Sequence, residues 1–397
     1  AIRAKYLAIA HGSFLQSTQA IVDLHRREGM TAEGFDLEDV YDEFSWGNVD
    51  SRGIRDFLAY AISAGTWADP PVYVLLVGDS TYDFRNRYGL SFSPFFLPQS
   101  EYVYVGGPNH EPGMLDGDSS YQMLVGGDII PDLLIGRLAV QTAAEVDTYV
   151  RKLQNYAAEP SGVWMDRTLV VVDDNIAGID DGTTCPTSVD EIERFAFEEA
   201  GCYLSNGTTN PNLLRVLEKD YDCTPPPIPP QTHAGNQVIV DERNRGVSLF
   251  LYVGHGSIGF VGKKCGCGNP LPNIFGTADL PRLTNPGALA LTSTVSCNVA
   301  AFDWVDFTTG ASRCMGEAFT VTSDKGDIGF IGNTTTITEL GGRGQQQAIY
   351  DSLFVGLAPG STFLPPFLPA AVARRRAGAI HFAAQLGFIR NPRTFDP

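Results

Sequence analysis

Two short apolar stretches, about forty residues apart, constrain this chain more than any other feature. The first, residues 248–257 (SLFLYVGHGS), ends at His255 between two glycines, and the second, residues 288–298 (ALALTSTVSCN), ends at Cys297. Runs of this length, rich in β-favouring residues and bounded by Gly or polar residues, predict strands buried on both faces, as in a parallel sheet. If the two strands are neighbours, they bring an imidazole and a thiol to the same carboxyl edge, where ligands collect in α/β sheets.

An imidazole beside a thiol is the smallest set of groups that can act as a cysteine nucleophile with a histidine base. In that chemistry the thiolate of Cys297 attacks a carbonyl carbon, and His255 moves the proton to the leaving amine. The backbone N–H groups of Gly256 and Cys297 are candidates for an oxyanion hole. The alternative is that His255 and Cys297 are two ordinary buried residues, because hydrogen-bonded histidines and free cysteines are common in protein cores.

Two carboxylates follow another predicted strand. Asp173 and Asp174 come directly after residues 168–172, and we expect this strand to end at the same sheet edge. Either carboxylate could orient and charge-stabilise His255. Helix capping or solvation of a loop is an equally good explanation of the pair.

The rest of the chain alternates predicted strands and helices, which is typical of a doubly wound α/β fold. In the first half we predict strands at 4–10, 72–77 and 131–135, an extended piece that includes Phe35 and Val40, helices at 14–27, 50–64 and 142–156, and a long loop region over 84–128. In the second half we predict further strands at 168–172, 202–204 and 327–331, and helices at 190–199, 237–244, 311–321, 345–357 and 369–385. We place the boundary between two subdomains so that they cover residues 1–160 and 161–397.

Composition excludes several classes of partner. The 397 residues include 46 acidic and 28 basic side chains, a formal net charge of −18, which argues against nucleic acid and against adsorption to an anionic membrane. No apolar run reaches the roughly eighteen residues that a membrane span needs. The chain begins at Ala1 without an initiator Met, so we expect a processed fragment whose targeting sequence lies elsewhere.

The seven cysteines are an odd number, which suits one free thiol and up to three disulfides in an oxidising compartment. Cys297 is then the natural free thiol. The alternative is that all seven are reduced and buried. Zinc at Cys265 and Cys267 is disfavoured, because paired thiolate ligands are usually separated by two to four residues.

Four acidic residues in and before the predicted strand 131–135 could bind calcium through oxygen ligands. They are Asp116, Asp118, Asp128 and Asp132. Their spacing excludes an EF-hand, and a solvated acidic loop is an equally good interpretation.

Several longer matches make the sequence similar to a known family. Residues 252–257 (YVGHGS) and 294–298 (TVSCN) resemble the catalytic core of the gingipain family of cysteine peptidases. The resemblance extends to residues 73–83 (YVLLVGDSTYD), 131–138 (PDLLIGRL) and the opening segment 6–14. These segments occur in the family's order, which makes the assignment more specific than either short motif alone.

The resemblance implies a caspase-like fold, a three-layer α/β/α sandwich of two subdomains with mostly parallel sheets, the second carrying the site. It implies that Cys297 is the nucleophile, His255 the base, Gly256 a donor to the oxyanion, and Asp174 the acidic residue that contacts the histidine. We expect the chemistry to need no cofactor. Family members also bind structural calcium, for which the similar positions here are Asp118 and Asp128.

The resemblance also bears on substrate and location. In relatives that cut after Arg or Lys, an acidic residue early in a helix sets that preference, and here the position falls near Pro186, with Asp190 about one turn further on. We expect Asp173 and Asp190 to contact substrate. The Cys265–Cys267 loop and the Pro225–Pro230 insertion are not typical of the family and are candidates for shaping the cleft.

The sequence therefore predicts a secreted or cell-surface cysteine endopeptidase acting on protein or peptide substrates through an acyl-enzyme. A pro-segment or further domains are expected outside this stretch. Two alternatives remain: a transpeptidase of the same fold that sorts surface proteins, and a non-catalytic caspase-like binding module.

Overall fold

The computed structural model describes residues 2–81, 96–98, 100, 102–104, 113–115, 118–126, 131–158, 162–172, 213–217, 234–262, 273–304 and 313–337. The chain forms two compact units. The first comprises Ala1–Arg151 with Ala301–Arg313, and the second comprises Lys152–Ala300 with Cys314–Pro397.

The first unit is built on a four-stranded parallel sheet with the strand order β2-β1-β3-β6. Its strands are β1 (Tyr6–Ala10), β2 (Ala32–Asp36), β3 (Tyr73–Val77) and β6 (Leu134–Leu138), and a separate antiparallel pair is formed by β4 (Tyr102–Tyr104) and β5 (Gly113–Leu115). Its helices are α1 (Gly12–Arg27), α2 (Leu37–Ser45) and α3 (Ser51–Ile62), and α4 (Ala143–Ala158) begins in this unit. All five residues of β1 are buried, as expected for a central strand of a parallel sheet.

Helix starts in this unit follow from capping side chains. The Asp50 carboxylate accepts a hydrogen bond from the N–H of Arg52 (2.9 Å) at the start of α3. At the start of α4, the Glu145 N–H donates to Thr142 Oγ1 and the Thr142 N–H donates to the Glu145 carboxylate, both at 3.3 Å. This reciprocal pair is a capping box, as the Thr-x-x-Glu spacing of residues 142–145 favours.

The second unit is built on a five-stranded parallel sheet with the order β14-β13-β9-β7-β8. Its strands are β7 (Thr168–Val172), β8 (Leu213–Leu217), β9 (Leu249–Val253), β13 (Ala290–Val295) and β14 (Asp327–Ile331), and its helices are α5 (Ala234–Arg245) and α6 (Met315–Val321). A small antiparallel sheet contains β10 (Gly256–Ser257), β11 (Phe260–Val261) and β12 (Phe275–Gly276). The predicted neighbours β9 and β13 do pair with each other, and the α/β class with mostly parallel sheets is confirmed.

Some predicted elements differ from the structure. Val40 lies in α2, not in an extended segment, because the Asp36 carboxylate caps that helix by accepting from the N–H of Glu38 (3.1 Å). Strand β6 begins at Leu134, three residues later than predicted, so that Gly136 and Arg137 lie inside it. Strand β8 and the pair β4–β5 were not predicted, and α6 begins at Met315, not at residue 311. The elements predicted at 190–199, 202–204, 345–357 and 369–385 lie outside the described residues.

A buried ion pair joins α5 to β14 in the second unit. Arg243 of α5 and Asp327 of β14 have side chains that are 0% and 1% exposed, and the guanidinium donates to the carboxylate. The guanidinium also donates to the Gly326 carbonyl oxygen (3.1 Å) and lies 5.2 Å from the ring centroid of Phe250. This pairing compensates two charges that are both removed from water.

A second buried cation, Lys152, lies in the same unit and is 2% exposed. Burial lowers its pKa to about 8; Asp327 and Asp324 oppose the shift, and Arg243 adds to it. A lysine in an unfolded chain has a pKa of about 10.4. Between these two values the unfolded chain holds a proton that the folded protein has released, so this group makes the free energy of unfolding increase with pH.

Replacing Arg243 with Met should destabilise the protein by about 3–5 kcal/mol, because the Asp327 carboxylate then stays buried without its hydrogen-bonded counter-ion. The matched control is Arg245→Met on the same helix, whose side chain is 65% exposed in its pair with Glu242 and should contribute about 0–1 kcal/mol. Urea denaturation followed by circular dichroism measures both. Equal losses in the two variants would show that the buried pair has no special role.

The difference in free energy of unfolding between the wild-type protein and Lys152→Met should grow in favour of the wild type as pH rises from about 8 to about 9.5. Comparing the two proteins cancels the contribution of every other titrating group. Denaturant titrations at several pH values provide the measurement, and a difference that stays flat or shrinks would contradict the lowered pKa.

Candidate active site

The segment that carries His255 leaves the sheet at the end of β9. Gly254 has φ = +147°, a conformation that favours glycine, and its N–H donates to the Val295 carbonyl oxygen at the end of β13 (3.1 Å). The His255 carbonyl oxygen then accepts from the buried Tyr252 hydroxyl (2.7 Å) and from the Gly262 N–H (3.0 Å). The backbone on both sides of the imidazole is therefore fixed by three hydrogen bonds.

Directly after His255 the chain forms the small sheet, in which Gly256 is opposite Val261. Because the Gly262 N–H donates to the carbonyl oxygen of His255, Gly256 and Val261 form a pair of the non-hydrogen-bonded type. The N–H of Gly256 consequently points away from β11.

Gly256 also packs closely on the cysteine segment. A methyl group on its Cα would lie 2.8 Å from Ser296 Cβ, 2.9 Å from Ser296 Oγ and 3.0 Å from Val299 Cγ1. These separations are too short for any side chain, so glycine is required where the histidine segment packs on the cysteine segment.

The cysteine segment follows β13. Cys297 is partly buried, and its thiol donates to the carbonyl oxygen of Ile337 (3.8 Å). The next residue, Asn298, has φ = +59°, a left-handed conformation that asparagine tolerates better than most residues. This turn ends the strand and leaves the thiol at its carboxyl end.

Residues 333–337, which follow β14, support the cysteine segment. The Asn298 N–H donates to the Thr335 carbonyl oxygen (3.2 Å), and the Ala300 N–H donates to the Asn333 carbonyl oxygen (3.1 Å). The Asn333 side-chain amide donates to the carbonyl oxygen of Ser296 (3.1 Å). Sequence reasoning missed this support, because nothing in the residues after β14 signals that they return to the cysteine.

Strand register brings the histidine and cysteine segments together. Val253 and Val295 are register partners, and His255 and Cys297 each lie two residues further along. Neighbouring strands are separated by about 4.8 Å, so both segments leave the sheet side by side at one edge. His255, Gly256 and Cys297 thus lie in a single region, as the sequence predicted for adjacent parallel strands.

Helix α6 contacts both segments from one side. The Met315 N–H donates to the Ile258 carbonyl oxygen (2.6 Å), and the Gly316 N–H donates to the Val299 carbonyl oxygen (2.9 Å). The first two N–H groups of a helix have no partner within it, and here they join the histidine segment to the cysteine segment.

The predicted acidic residues Asp173, Asp174 and Asp190 lie outside the described residues. The structure does describe β7, the strand that precedes Asp173 and Asp174. Val172, the last residue of β7, is the register partner of Val253. The carboxyl end of β7 therefore lies beside that of β9.

Asp118, predicted as a calcium ligand, has a different partner. Its two carboxylate oxygens each accept a hydrogen bond of 2.8 Å from the guanidinium of Arg137, which also donates to the Gly78, Leu97 and Pro98 carbonyl oxygens. Among the described residues no group of three or more His, Cys, Asp or Glu side chains is arranged to hold a metal ion. The second predicted ligand, Asp128, lies outside these residues, and calcium stays a prediction.

Two of the seven cysteines, Cys297 and Cys314, lie within the described residues, and neither forms a disulfide. Cys314 is 1% exposed. The other five lie outside the described ranges, so disulfide formation stays a prediction.

No helix in the described part of the chain has the length and apolar character of a membrane span.

Comparison with known proteins agrees with this geometry. The model of peptidase family C25 matches residues 2–388. The crystal structure of the Arg-specific cysteine proteinase gingipain R (RgpB) is similar with a TM-score of 0.67 and 18% identity, over 98% of this chain and 73% of that one. A complex of the pro- and mature domains of RgpB from Porphyromonas gingivalis gives 0.66 and 18%, over 98% and 74%. A search of curated proteins finds no significant match.

At 18% identity these structures establish the fold, a gingipain-type α/β architecture. The family match covers nearly all of the sequence, including both strands that end at the histidine and the cysteine. This chain therefore belongs to peptidase family C25, the gingipain family, and is a cysteine peptidase.

Proposed function

We propose that the chain is an endopeptidase that hydrolyses peptide bonds with Cys297 as nucleophile and His255 as general acid and base. The observation that supports this most directly is the contact between the two segments. Gly256 packs on Ser296 so closely that no side chain fits, which holds the residues beside His255 and Cys297 against each other.

The proposed reaction has two steps. The thiolate of Cys297 attacks the carbonyl carbon of the scissile peptide and forms a thioester, while the C–N bond breaks and the His255 imidazolium gives its proton to the leaving amine. In the second step water attacks the thioester carbon, His255 accepts the proton from the water, and the carboxylic acid leaves as the thiolate is restored.

The N–H groups of Gly256 and Cys297 are the proposed donors to the oxyanion of each tetrahedral intermediate. The pairing of Gly256 with Val261 supports the first donor, because the N–H points away from β11 and is left for a substrate oxygen. Removing one donor of this type costs about 2.7–4 kcal/mol of transition-state stabilisation in a well-studied peptidase.

Asp174 is the proposed third member of the site, orienting the imidazole of His255. The register of Val172 with Val253 supports this, since the carboxyl end of β7 lies beside that of β9. Asp173 and Asp190 remain the predicted contacts to substrate.

The proposed substrates are proteins or peptides outside the cell or at its surface. We also propose that a pro-segment is present elsewhere in the full-length protein. One of the similar structures is a complex of a pro-domain with its mature domain. The net charge of −18 is compatible with basic substrates. Calcium has no part in the proposed steps.

Replacing Cys297 with Ala should lower kcat/KM on a diverse peptide mixture by at least about 10³-fold, because the covalent step is lost. The matched control is Cys314→Ala, which removes the other described thiol and should keep activity near the wild-type level. Mass spectrometry of the cleaved mixture gives the rates, and thermal unfolding checks that both variants fold.

Two outcomes would reject the proposal. Equal hydrolysis by Cys297→Ala and the wild type would exclude Cys297 as the nucleophile. A correctly folded wild-type protein that neither cleaves the mixture nor reacts with electrophilic peptides would favour the binding module. A marked rate gain with an added amine would instead indicate transpeptidation.

Replacing Gly256 with Ala should lower kcat by about 10²-fold, since the new methyl group must push the histidine segment away from Ser296 and displace the oxyanion donor. Gly259→Ala, in the turn of the same hairpin, is the control, because its methyl group would meet one flexible atom, Thr277 Oγ1, at 3.2 Å. Steady-state kinetics on one cleaved peptide tests this. A similar kcat in both variants would contradict the assigned role of Gly256.

A further inference from the structure

We infer that Lys152 is a positioning residue for the peptidase site, acting through helix α6. It holds the C-terminal end of this helix, while the N-terminal end holds the segments of His255 and Cys297. The expected effect on kcat rests on the proposed function. The link between Lys152 and the first turn of α6 can be measured by hydrogen exchange without it.

Among the described residues, the ammonium of Lys152 donates its hydrogen bonds to the last turn of the helix and to the C-cap residue Thr322. Its ammonium donates to the carbonyl oxygens of Phe319 (3.2 Å), Thr320 (2.8 Å) and Thr322 (3.2 Å). Carbonyl groups at the end of a helix have no partner within it, and an ammonium has three N–H groups to offer. A cation at this end also interacts favourably with the helix dipole.

The opposite end of the helix is the one that meets the site. Met315 and Gly316 donate to Ile258 and Val299, which lie three residues after His255 and two residues after Cys297. Helix α6 has seven residues and is therefore about 10 Å long. A displacement at Thr320 is passed to the first turn, because so short a helix moves as one rigid piece.

The helix has little freedom to absorb such a displacement by other means. A methyl group on Gly316 would lie 3.0 Å from the ring of Phe330, so the first turn is already packed closely on β14. Phe319 is buried and lies 5.3 Å from Phe275 between ring centroids. With its sides packed in this way, the position of α6 along its axis depends on the contacts at its two ends.

The test compares three variants of the whole chain. Lys152→Met keeps the unbranched stem and removes the ammonium, and Lys152→Arg restores a cationic donor. Lys325→Met makes the same chemical change in the turn that joins α6 to β14. For each, kcat and KM on a cleaved peptide and hydrogen exchange of the Met315 and Gly316 amides are measured.

We expect Lys152→Met to lower kcat about tenfold with KM nearly unchanged, because the reacting groups are misplaced while the substrate contacts remain. The amides of Met315 and Gly316 should exchange faster. Lys152→Arg should recover most of kcat and of the exchange protection, and Lys325→Met should match the wild type in both.

A purely structural role gives a different pattern. If Lys152→Met unfolds at a lower temperature but keeps wild-type kcat and wild-type exchange at Met315 and Gly316, the inference is wrong. If Lys152→Met does not fold, Lys152→Gln gives the same comparison with one amide donor retained. A wild-type protein without hydrolytic activity would reject the proposed function, whereas unchanged exchange would reject the link through α6.

Discussion

The site depends on one close contact, the packing of the Gly256 backbone on Ser296. Parallel register places the ends of β9 and β13 side by side, but register alone leaves the two following segments free to diverge. The absence of a side chain at Gly256 lets them meet, and the hydrogen bond from Gly254 to Val295 directs the chain into that contact. The hydrogen bonds from Tyr252, Asn333 and helix α6 then fix an arrangement that the glycine makes sterically allowed.

The same backbone device occurs in the first unit with different chemistry. After β3, Gly78 has φ = +146° and donates to the Leu138 carbonyl oxygen at the end of β6 (3.0 Å), just as Gly254 does to Val295. The next residue is Asp79 in place of a histidine, and its carboxylate accepts from the Gln141 amide (2.7 Å). The same turn thus ends a central strand in both units, and it is followed by a hydrogen-bonded carboxylate in the first unit and by an imidazole in the second.

Local sequence patterns were sufficient where neighbouring residues decide the structure. Strands 168–172 and 327–331 were predicted with the observed bounds, since each is a short apolar run between polar residues. Local patterns were not sufficient where a residue distant in sequence determines the bounds of an element. The start of β6 follows from pairing of Leu134 with Tyr73, not from the composition of residues 131–135. The helical position of Val40 depends on the cap that Asp36 provides to α2, which the pattern of apolar residues does not show.

The sequence by itself determined the α/β class, the two strands that end at His255 and Cys297, and the peptidase family, because these are encoded in contiguous residues. Only the tertiary structure decided that residues 333–337 support the cysteine segment, that Gly256 leaves no room for a side chain, and that Lys152 reaches the end of helix α6. Each of those contacts joins residues separated by tens or more than a hundred positions, and no local pattern records which distant backbone a side chain will meet.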